Sequence, residues 1–338
     1  MEGVLLTALG GHGRPTCSFY ARHPMDLRDL DHRTLWLQAS SIEKSTVKGY
    51  TTGARDCLNF CMMHSLPIDP TPQTLSRYIS YTSRYIASGP KYLTGVRHFL
   101  SATYPDFDIN RSHPLVTSVI RGSKKIRADP VSRKLPLRLH HLSAFLLHAR
   151  SSQSYDDLLF ITILACCFYG CHRVGELVQK NDKSLFDWRK VIKRSSLVFS
   201  AGRVQYRLPY HKSDPFYRGT DILFTSQDIA DPVTLLAEYV TLRDHLHDAT
   251  TSLFLREDGT QPTRSWFESK FFSILDHSFG GHSARAGGAT YYASLGLSED
   301  VIQALGRWSS TAWKIYIREN PVIRAELQLA AIRLRHRY

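Results

Sequence analysis

The chain has 338 residues, 43% of them hydrophobic, and a formal net charge of +13 at pH 7. Its length suits about two domains of roughly 150 residues, and its apolar content excludes a globally disordered chain. The positive charge favours a polyanionic partner, because each neutralised phosphate releases counterions. Charge alone fits a basic protein without a nucleic-acid role equally well. No stretch approaches the roughly 18 consecutive apolar residues of a membrane helix, so no membrane partner is expected.

The sequence of the first half of the chain predicts an irregular N-terminal segment followed by a helical domain. Residues 1–30 show no clear periodicity, which predicts a flexible arm, and from about residue 31 apolar residues recur at helical spacing to about residue 126. Within this stretch, Thr71 is a suitable N-cap for a helix that has Pro72 at its first position. We therefore predict a small all-helical domain over 31–126.

A basic, proline-containing segment at 127–138 has no apolar stripe and is interpreted as a linker. Helices are predicted after it at 139–145 and 155–169. The period then changes to two, which predicts strands at 196–199, 204–208 and 221–224, with Ala201-Gly202 as the first turn. Helices resume with Asp231 as N-cap and Pro232 behind it. The predicted fold class is mainly α with a small antiparallel β-sheet (α+β).

The six cysteines are interpreted as small buried side chains of a reducing compartment rather than as zinc ligands or disulfides. They form no pair of CxxC motifs, and no complementary ligand set follows. The positions are Cys17, Cys57, Cys61, Cys166, Cys167 and Cys171.

Three segments carry residues suited to phosphate chemistry. His282 and Arg285 are one helical turn apart, and the small residues after them let another backbone approach. Arg173 follows a buried apolar helix, and together with Arg285 it could fork onto one phosphate, a task that suits guanidinium better than ammonium. Lys212 lies in the loop between the second and third strands. Taken singly, each also fits a solvated or salt-bridged structural residue, Arg173 with Glu176 for example.

Near the end of the chain, Trp308 follows Gly306-Arg307, and Tyr316 comes eight residues after Trp308. A tyrosine at such a position is usually a core aromatic residue. Tyr291 and Tyr292 are weaker rival nucleophiles, because they fall on the helix predicted to carry His282 and Arg285.

Taken together, these segments resemble the tyrosine recombinase (integrase) superfamily over most of the chain. The stretch from Gly170 to Leu177 resembles its first arginine box, His282-Ser-Ala-Arg its second and Gly306-Arg-Trp-Ser-Ser its third, while Lys212-Ser-Asp-Pro-Phe resembles its hairpin-lysine segment. The amino-acid sequences of these motifs most resemble those of recombinases of eukaryotic mobile elements of the Crypton and DIRS-like types. The tyrosine stands one residue nearer to the tryptophan than is usual in bacterial and phage members.

The resemblance implies a role for each matched residue. Tyr316 would attack the scissile phosphorus and form a 3′-phosphotyrosyl link, while Arg173 and Arg285 would hold the phosphate and stabilise the transition state. Lys212 would be the general acid for the departing 5′ oxygen, and His282 the proton acceptor near the tyrosine.

Two further positions and the reaction's requirements follow from the same resemblance. Trp308 would hydrogen-bond the phosphate or pack the site, and Glu176 would be the acidic residue behind the first arginine. The phosphotyrosyl link conserves the energy of the ester, so no metal and no nucleotide cofactor are expected.

The resemblance also implies an architecture and partners. Residues 31–126 would be the core DNA-binding domain and 139–320 the catalytic domain, clamping double-stranded DNA as a dimer on one site and a tetramer in the synapse. The terminal helix predicted over 321–338 would pack on its own domain or dock on a neighbouring protomer. Phosphate contacts are expected from basic residues around the linker, namely Arg121, Lys124, Lys125, Arg127, Arg133 and Lys134.

The expected activity is therefore site-specific DNA recombination that integrates or excises a mobile element, in the nucleus if the element is eukaryotic and otherwise on DNA in the cytoplasm. Three alternatives remain at the level of the sequence. A type IB-like topoisomerase shares the chemistry without strand exchange, an inactive recombinase-derived DNA-binding protein shares only the binding, and a basic helical scaffold would share the motifs by chance.

Overall fold

The computed structural model describes residues 23–130, 133–248 and 250–314, together with Leu329 and Ile332. The chain divides into two compact units, residues 1–130 and 131–338. Most of the predicted arm, and almost all of the helix predicted over 321–338, lie outside the described residues.

The described part of the first unit is helical. Its helices are α1 (Leu27–Ser40), α2 (Lys44–Met63), α3 (Pro72–Thr82), α4 (Gly89–Leu100), α5 (Phe107–Ser112) and α6 (Pro114–Arg127). The predicted cap at Thr71 is confirmed, since its side chain accepts a hydrogen bond from the backbone of Thr74. Phe60, Tyr78 and Leu93 are among the residues buried in the core of this unit.

Two boundaries of the first unit differ from the prediction. The first helix begins at Leu27, inside the segment predicted as an irregular arm, because Asp26 caps it by accepting from the amide of Arg28. At the other end, α6 runs to Arg127, and Ala128 ends it in the left-handed conformation. Arg127 is therefore the last residue of a helix rather than the first residue of a linker.

The second unit combines helices with a small sheet. In its described part the α-helices are α7 (Leu139–Ser152), α8 (Tyr155–Tyr169), α9 (Val174–Leu177), α10 (Pro232–His247), α11 (Arg264–Phe271), α12 (Ser283–Ser294) and α13 (Glu299–Leu305). The strands are β1 (Val198–Ser200), β2 (Arg203–Leu208) and β3 (Thr220–Thr225), antiparallel in the order β1-β2-β3. The predicted fold class is confirmed, as are the cap at Asp231 and the turn at Gly202, where φ is +65°.

The core of the second unit forms around α8, which is buried along nearly its whole length. Its continuous apolar run leaves no polar face, which is the pattern of a helix surrounded by protein. The inner face of the sheet packs on this core through Val204, Tyr206 and Leu208. No helix in the described ranges is long and apolar enough to cross a membrane.

The segment before α7 is extended and attached to this unit. The amides of Leu135 and Leu137 donate to the carbonyls of Ser278 and Ser283, each at 2.9 Å, and Leu137 is fully buried. The second half of the predicted linker is thus held against the second unit by backbone hydrogen bonds and apolar burial, neither of which its composition reveals.

Candidate active site

Helix α12 approaches the end of α8 through its glycines. A Cβ atom at Gly288 would overlap the carbonyl oxygen of Phe168, and one at Gly287 would overlap that of Leu137. The small residues after Arg285 therefore allow the backbone contact that the sequence predicts. This contact places Arg285 against the segment that follows α8.

Arg285 is a buried cation, only 1% exposed, with its guanidinium fixed in place. Its Nη1 donates to the carbonyl of Cys171 at 2.7 Å, its Nη2 donates to the carbonyl of Gly306, and its Cζ lies 4.2 Å from the ring centroid of Trp308. Burial and the charge of Arg173 lower the pKa of Arg285 to about 10, which leaves it protonated at neutral pH. The Nε of Arg285 is buried without a hydrogen-bond partner.

Arg173 is the N-cap residue of the short helix α9 and is held by Glu176. Its Nη1 donates to Glu176 Oε1 at 2.9 Å, and its backbone amide donates to Oε2 at 3.2 Å. The side chain of Arg173 is 26% exposed, whereas that of Glu176 is 6% exposed. The guanidinium of Arg173 is thus partly exposed to solvent while the buried carboxylate of Glu176 holds it in place.

Arg307 is a third arginine of the cluster, and the sequence analysis missed its role. Its Nη2 donates to Glu176 Oε2 at 3.1 Å, and its Nη1 donates to the carbonyl of Gly170 at 3.1 Å. Its side chain is 7% exposed, and its φ of +55° is unusual for a residue with a side chain. Arg307 therefore ties the segment around Trp308 to the segment around Arg173.

His172 completes the cluster as a neutral, fully buried residue. Its Nδ1 lies 3.0 Å from Glu176 Oε2, and its Nε2 lies 2.8 Å from the hydroxyl of Tyr206. Because a carboxylate only accepts, Nδ1 carries the proton and Tyr206 donates to Nε2. Burial and the charge of Arg307 lower the pKa of His172 to about 4.

The carboxylate of Glu176 is ionised despite its burial. Desolvation opposes its charge, but the hydrogen bond from His172 and the positive charges of Arg307 and Arg285 outweigh it and hold the pKa of Glu176 well below its usual range. Two guanidinium groups, those of Arg173 and Arg307, thus bind this one carboxylate, and the charge of Arg285 acts on it from nearby. The cluster keeps an excess of positive charge, which suits a bound anion.

His282 is the N-cap residue of α12 and is exposed at the edge of this cluster. Its pKa is lowered below the ordinary value, mainly by partial burial and to a lesser extent by the positive charges of Arg173 and Arg285. The imidazole is therefore neutral at pH 7 and able to accept a proton.

Lys212 lies in the loop between β2 and β3, which reaches this cluster. The lysine is exposed, and the hydroxyl of the next residue, Ser213, donates to the carbonyl of Arg307 at 3.3 Å. Its other neighbour, His211, is buried, and its Nδ1 has no hydrogen-bond partner. The loop thus contacts the arginine cluster at the residue next to Lys212.

Trp308 is 9% exposed and covers Arg285, while the predicted nucleophile Tyr316 lies outside the described residues. The rival tyrosines are both engaged elsewhere. The hydroxyl of Tyr291 lies 3.1 Å from Gln227 Oε1, and that of Tyr292 donates to the carbonyl of Tyr169 at 2.8 Å. Burial raises the pKa of both phenols, which makes them poorer nucleophiles.

The residues predicted to bind DNA fall into two groups. Arg121, Lys124 and Lys125 are exposed on the last turns of α6 in the first unit. Arg127, on the same helix, is bound instead by Asp129 and by the carbonyl of Ser83.

In the second unit, Arg133 and Lys134 are exposed near the start of the extended segment, and the ammonium of Lys134 donates to the carbonyl of His277. Within the part of the chain that the structure describes, no group of three or more His, Cys, Asp or Glu side chains could hold a metal ion. The five described cysteines are buried, as predicted, and their thiols are free; Cys17 lies outside the described residues.

No family model and no curated protein sequence matches this chain. Solved structures match its fold. A fragment of the Tn1549 transposon integrase aligns at 15% identity over 90% of this chain and 98% of the fragment, with a TM-score of 0.51. A lambda integrase fragment aligns at 14% identity over 85% and 93%, with a TM-score of 0.50. The site-specific recombinase XerH aligns at 15% identity over 77% and 72%, also with a TM-score of 0.50. The fold is that of the tyrosine recombinases.

Proposed function

We propose that this chain is a site-specific DNA recombinase that cuts and rejoins strands through a 3′-phosphotyrosyl intermediate on Tyr316. The observation that carries the proposal is the arginine cluster. Arg173 and Arg285 come from distant parts of the chain; Arg173 and Arg307 bind the carboxylate of Glu176, and Arg285 bonds the carbonyl of Cys171 beside them. A scissile phosphate supplies the missing negative charge, and planar guanidinium groups bind its oxygens with fixed geometry.

The proposed reaction transfers the phosphoryl group twice. The Tyr316 oxygen bonds to phosphorus as the bond to the 5′ oxygen breaks, the phenolic proton passes to His282, and Lys212 gives a proton to the departing 5′ oxygen. Attack by a 5′ hydroxyl reverses these transfers and rejoins the strand. Arg173 and Arg285 stabilise the charge that develops on the phosphate oxygens in both steps.

The structural relatives support DNA as the substrate. XerH is described bound to its difH substrate, the Tn1549 integrase in complex with transposon right-end DNA, and the lambda integrase fragment as a dimer on a core site. By analogy, the chain would act as a dimer on each site and a tetramer in the synapse. Integration or excision of a Crypton or DIRS-like element, in the nucleus, is the biological role that the motif wording favours.

Covalent trapping tests this function. The protein is incubated, without added metal, with a nicked or phosphorothiolate-containing duplex that carries the terminal sequence of its element. A DNA adduct stable to SDS is expected, and Arg285→Ala should abolish it. Arg150→Ala is the matched control, because Arg150 is a half-exposed arginine of the same unit paired only at the surface with Glu238.

Two outcomes would contradict the recombinase function. Tight DNA binding without an adduct would favour an inactive, recombinase-derived binding protein. Relaxation of supercoiled DNA without joining of two different duplexes would favour a type IB-like topoisomerase.

A further inference from the structure

Two loops of the second unit expose aromatic side chains among basic ones. We name this the aromatic-basic surface, formed by residues 186–193 and 210–218. Trp188 is 66% exposed and Phe216 is 76% exposed. Five basic residues accompany two acidic ones in the two loops, so the surface is positively charged. Large exposed aromatic residues indicate a binding partner when they cluster.

The two loops are joined to one another by defined contacts. The hydroxyl of Tyr217 donates to Asp187 Oδ2 at 2.9 Å, and Arg189 lies over the ring of Tyr217 at 4.6 Å. Because Asp187 precedes Trp188 and Tyr217 follows Phe216, these contacts bring the two exposed rings to the same part of the surface. The two loops of the aromatic-basic surface are therefore in direct contact next to their exposed rings.

The conformation of both loops is fixed by local hydrogen bonds. The carboxylate of Asp214 accepts from the amide of Gly219 at 2.7 Å, which closes the loop that presents Phe216. Trp188 begins a 3₁₀ turn, and Asp187 caps it by accepting from the amide of Arg189 at 3.1 Å. The backbone that carries the exposed rings is thus held in place before any partner arrives, which lowers the entropy cost of binding.

This surface adjoins the candidate active site. Its second loop contains Lys212, and the hydroxyl of Ser213 donates to the carbonyl of Arg307. From the first loop, Lys190 lines a small cavity together with Glu176, the acid that anchors Arg173. A strand bound at the arginine cluster would therefore pass close to the exposed rings.

We propose that the aromatic-basic surface binds unpaired DNA bases beside the candidate active site, with Trp188 and Phe216 as stacking platforms. The proposal rests on the function proposed above and assigns it a more specific substrate, DNA that is locally unpaired next to the cleaved phosphate. A base within a duplex is already stacked on its neighbours, so an exposed aromatic ring finds a free face only on an unpaired base. Basic side chains around the rings track the accompanying backbone.

The charge of the surface favours a nucleic acid over a protein partner. Protein interfaces also use tryptophan and arginine, but charged residues are depleted at their centres. Here a cation lies next to each exposed ring, since Lys193 Nζ is 5.9 Å from the ring centroid of Trp188 and Arg218 Cζ is 5.8 Å from that of Phe216. A base stacked on either ring would therefore lie beside a cation, Lys193 or Arg218, that can bind the phosphate of the same nucleotide.

The test compares binding of two DNA molecules by the full-length protein. One is a fully paired duplex, and the other has the same sequence with a short internal bubble that carries 2-aminopurine. Since stacking of one base contributes about 1–3 kcal/mol, the wild-type protein should bind the bubble at least about fivefold more tightly and quench its fluorescence. Trp188→Ala and Phe216→Ala should each reduce this preference towards parity, while duplex affinity stays within about twofold.

Two further variants separate stacking from misfolding. Trp188→Phe keeps an aromatic face and should retain most of the preference. Phe199→Ala is the matched control, because Phe199 is exposed on a strand of the same unit, outside the two loops, and its removal should leave the preference unchanged.

The results distinguish this proposal from the recombinase function itself. Equal binding of bubble and duplex by the wild-type protein would overturn the stacking surface and leave DNA recombination untouched. Equal losses on both DNA molecules in Trp188→Ala would also overturn it, as would capture of a protein segment by this surface in place of DNA. Absence of binding to either DNA would overturn both proposals.

Discussion

Glu176 is the residue on which the arginine cluster depends most, and Glu176→Gln isolates its charge. The substitution keeps the shape of the side chain but removes the carboxylate shared by Arg173, Arg307 and His172. Glu176 and Arg307 are 6% and 7% exposed, so the loss leaves a buried cation without its counter-charge. Breaking a buried pair in this way costs about 3–5 kcal/mol.

This cost converts into a measurable change in thermal stability. For a unit of this size, each kcal/mol lowers the melting temperature by roughly 2–4 °C, so Glu176→Gln should lower it by about 6–20 °C. Tryptophan fluorescence reports mainly on the second unit, because four of the five tryptophans, all except Trp36, lie in it. The melt is followed at pH 7 in the full-length protein.

The matched control is Glu238→Gln in the same unit. Glu238 pairs with Arg150 at 2.6 Å, but the two side chains are 37% and 50% exposed, so the same substitution there should cost at most about 1 kcal/mol. If Glu176→Gln lowers the melting temperature no more than Glu238→Gln does, the buried charges around Glu176 do not hold the site together.

Three further predictions follow from the same contacts. Gly288→Ala should destabilise the second unit by about 1–3 kcal/mol in circular dichroism melts, because the added methyl group would overlap the carbonyl of Phe168. Gly122→Ala is the control and should not destabilise the protein, because its methyl group meets open space. The pKa of His172 is about 4 in the folded protein and near 6.5 in the unfolded chain. As the pH falls, the unfolded chain therefore takes up the proton first, and the free energy of unfolding decreases. Urea titrations should show a loss of about 2 kcal/mol between pH 7 and pH 5. His172→Gln should flatten that slope, and an unchanged slope would refute the assignment. Arg285→Lys should slow adduct formation about 10²- to 10³-fold in single-turnover assays, with DNA affinity nearly unchanged. The reason is that an ammonium group cannot bridge the carbonyls of Cys171 and Gly306 and also present a planar pair of donors to the phosphate. Cleavage at the wild-type rate would count against a role of Arg285 in stabilising the transition state.

Local signals in the sequence predicted most of the fold. Thr71 and Asp231 each precede a proline and cap a helix, since side-chain capping and a fixed proline φ act within a few residues. The strands follow from their alternating pattern, and the glycines after Arg285 indicated that another backbone approaches there, which the structure shows to be the backbone at Phe168.

The buried network behind the site could not be predicted in the same way. Arg307 bonds Gly170 and Glu176, which are more than a hundred positions away in the chain, and its backbone is left-handed, which residues with a side chain seldom adopt. The Gly-Arg-Trp motif drew attention to Trp308 and not to the arginine beside it. The polar partners of His172 could have suggested a buried role only once β2 was known to carry Tyr206 against it.

The most direct test of the central claim is to locate the protein–DNA link. The adduct formed on a phosphorothiolate duplex is digested, and the peptide that carries the nucleotide is identified by mass spectrometry, with Tyr316→Phe, Tyr291→Phe and Tyr292→Phe run in parallel. We predict that the link maps to Tyr316 and that Tyr316→Phe alone forms no adduct. A link on Tyr291 or Tyr292, or an adduct that persists in Tyr316→Phe, would contradict the account.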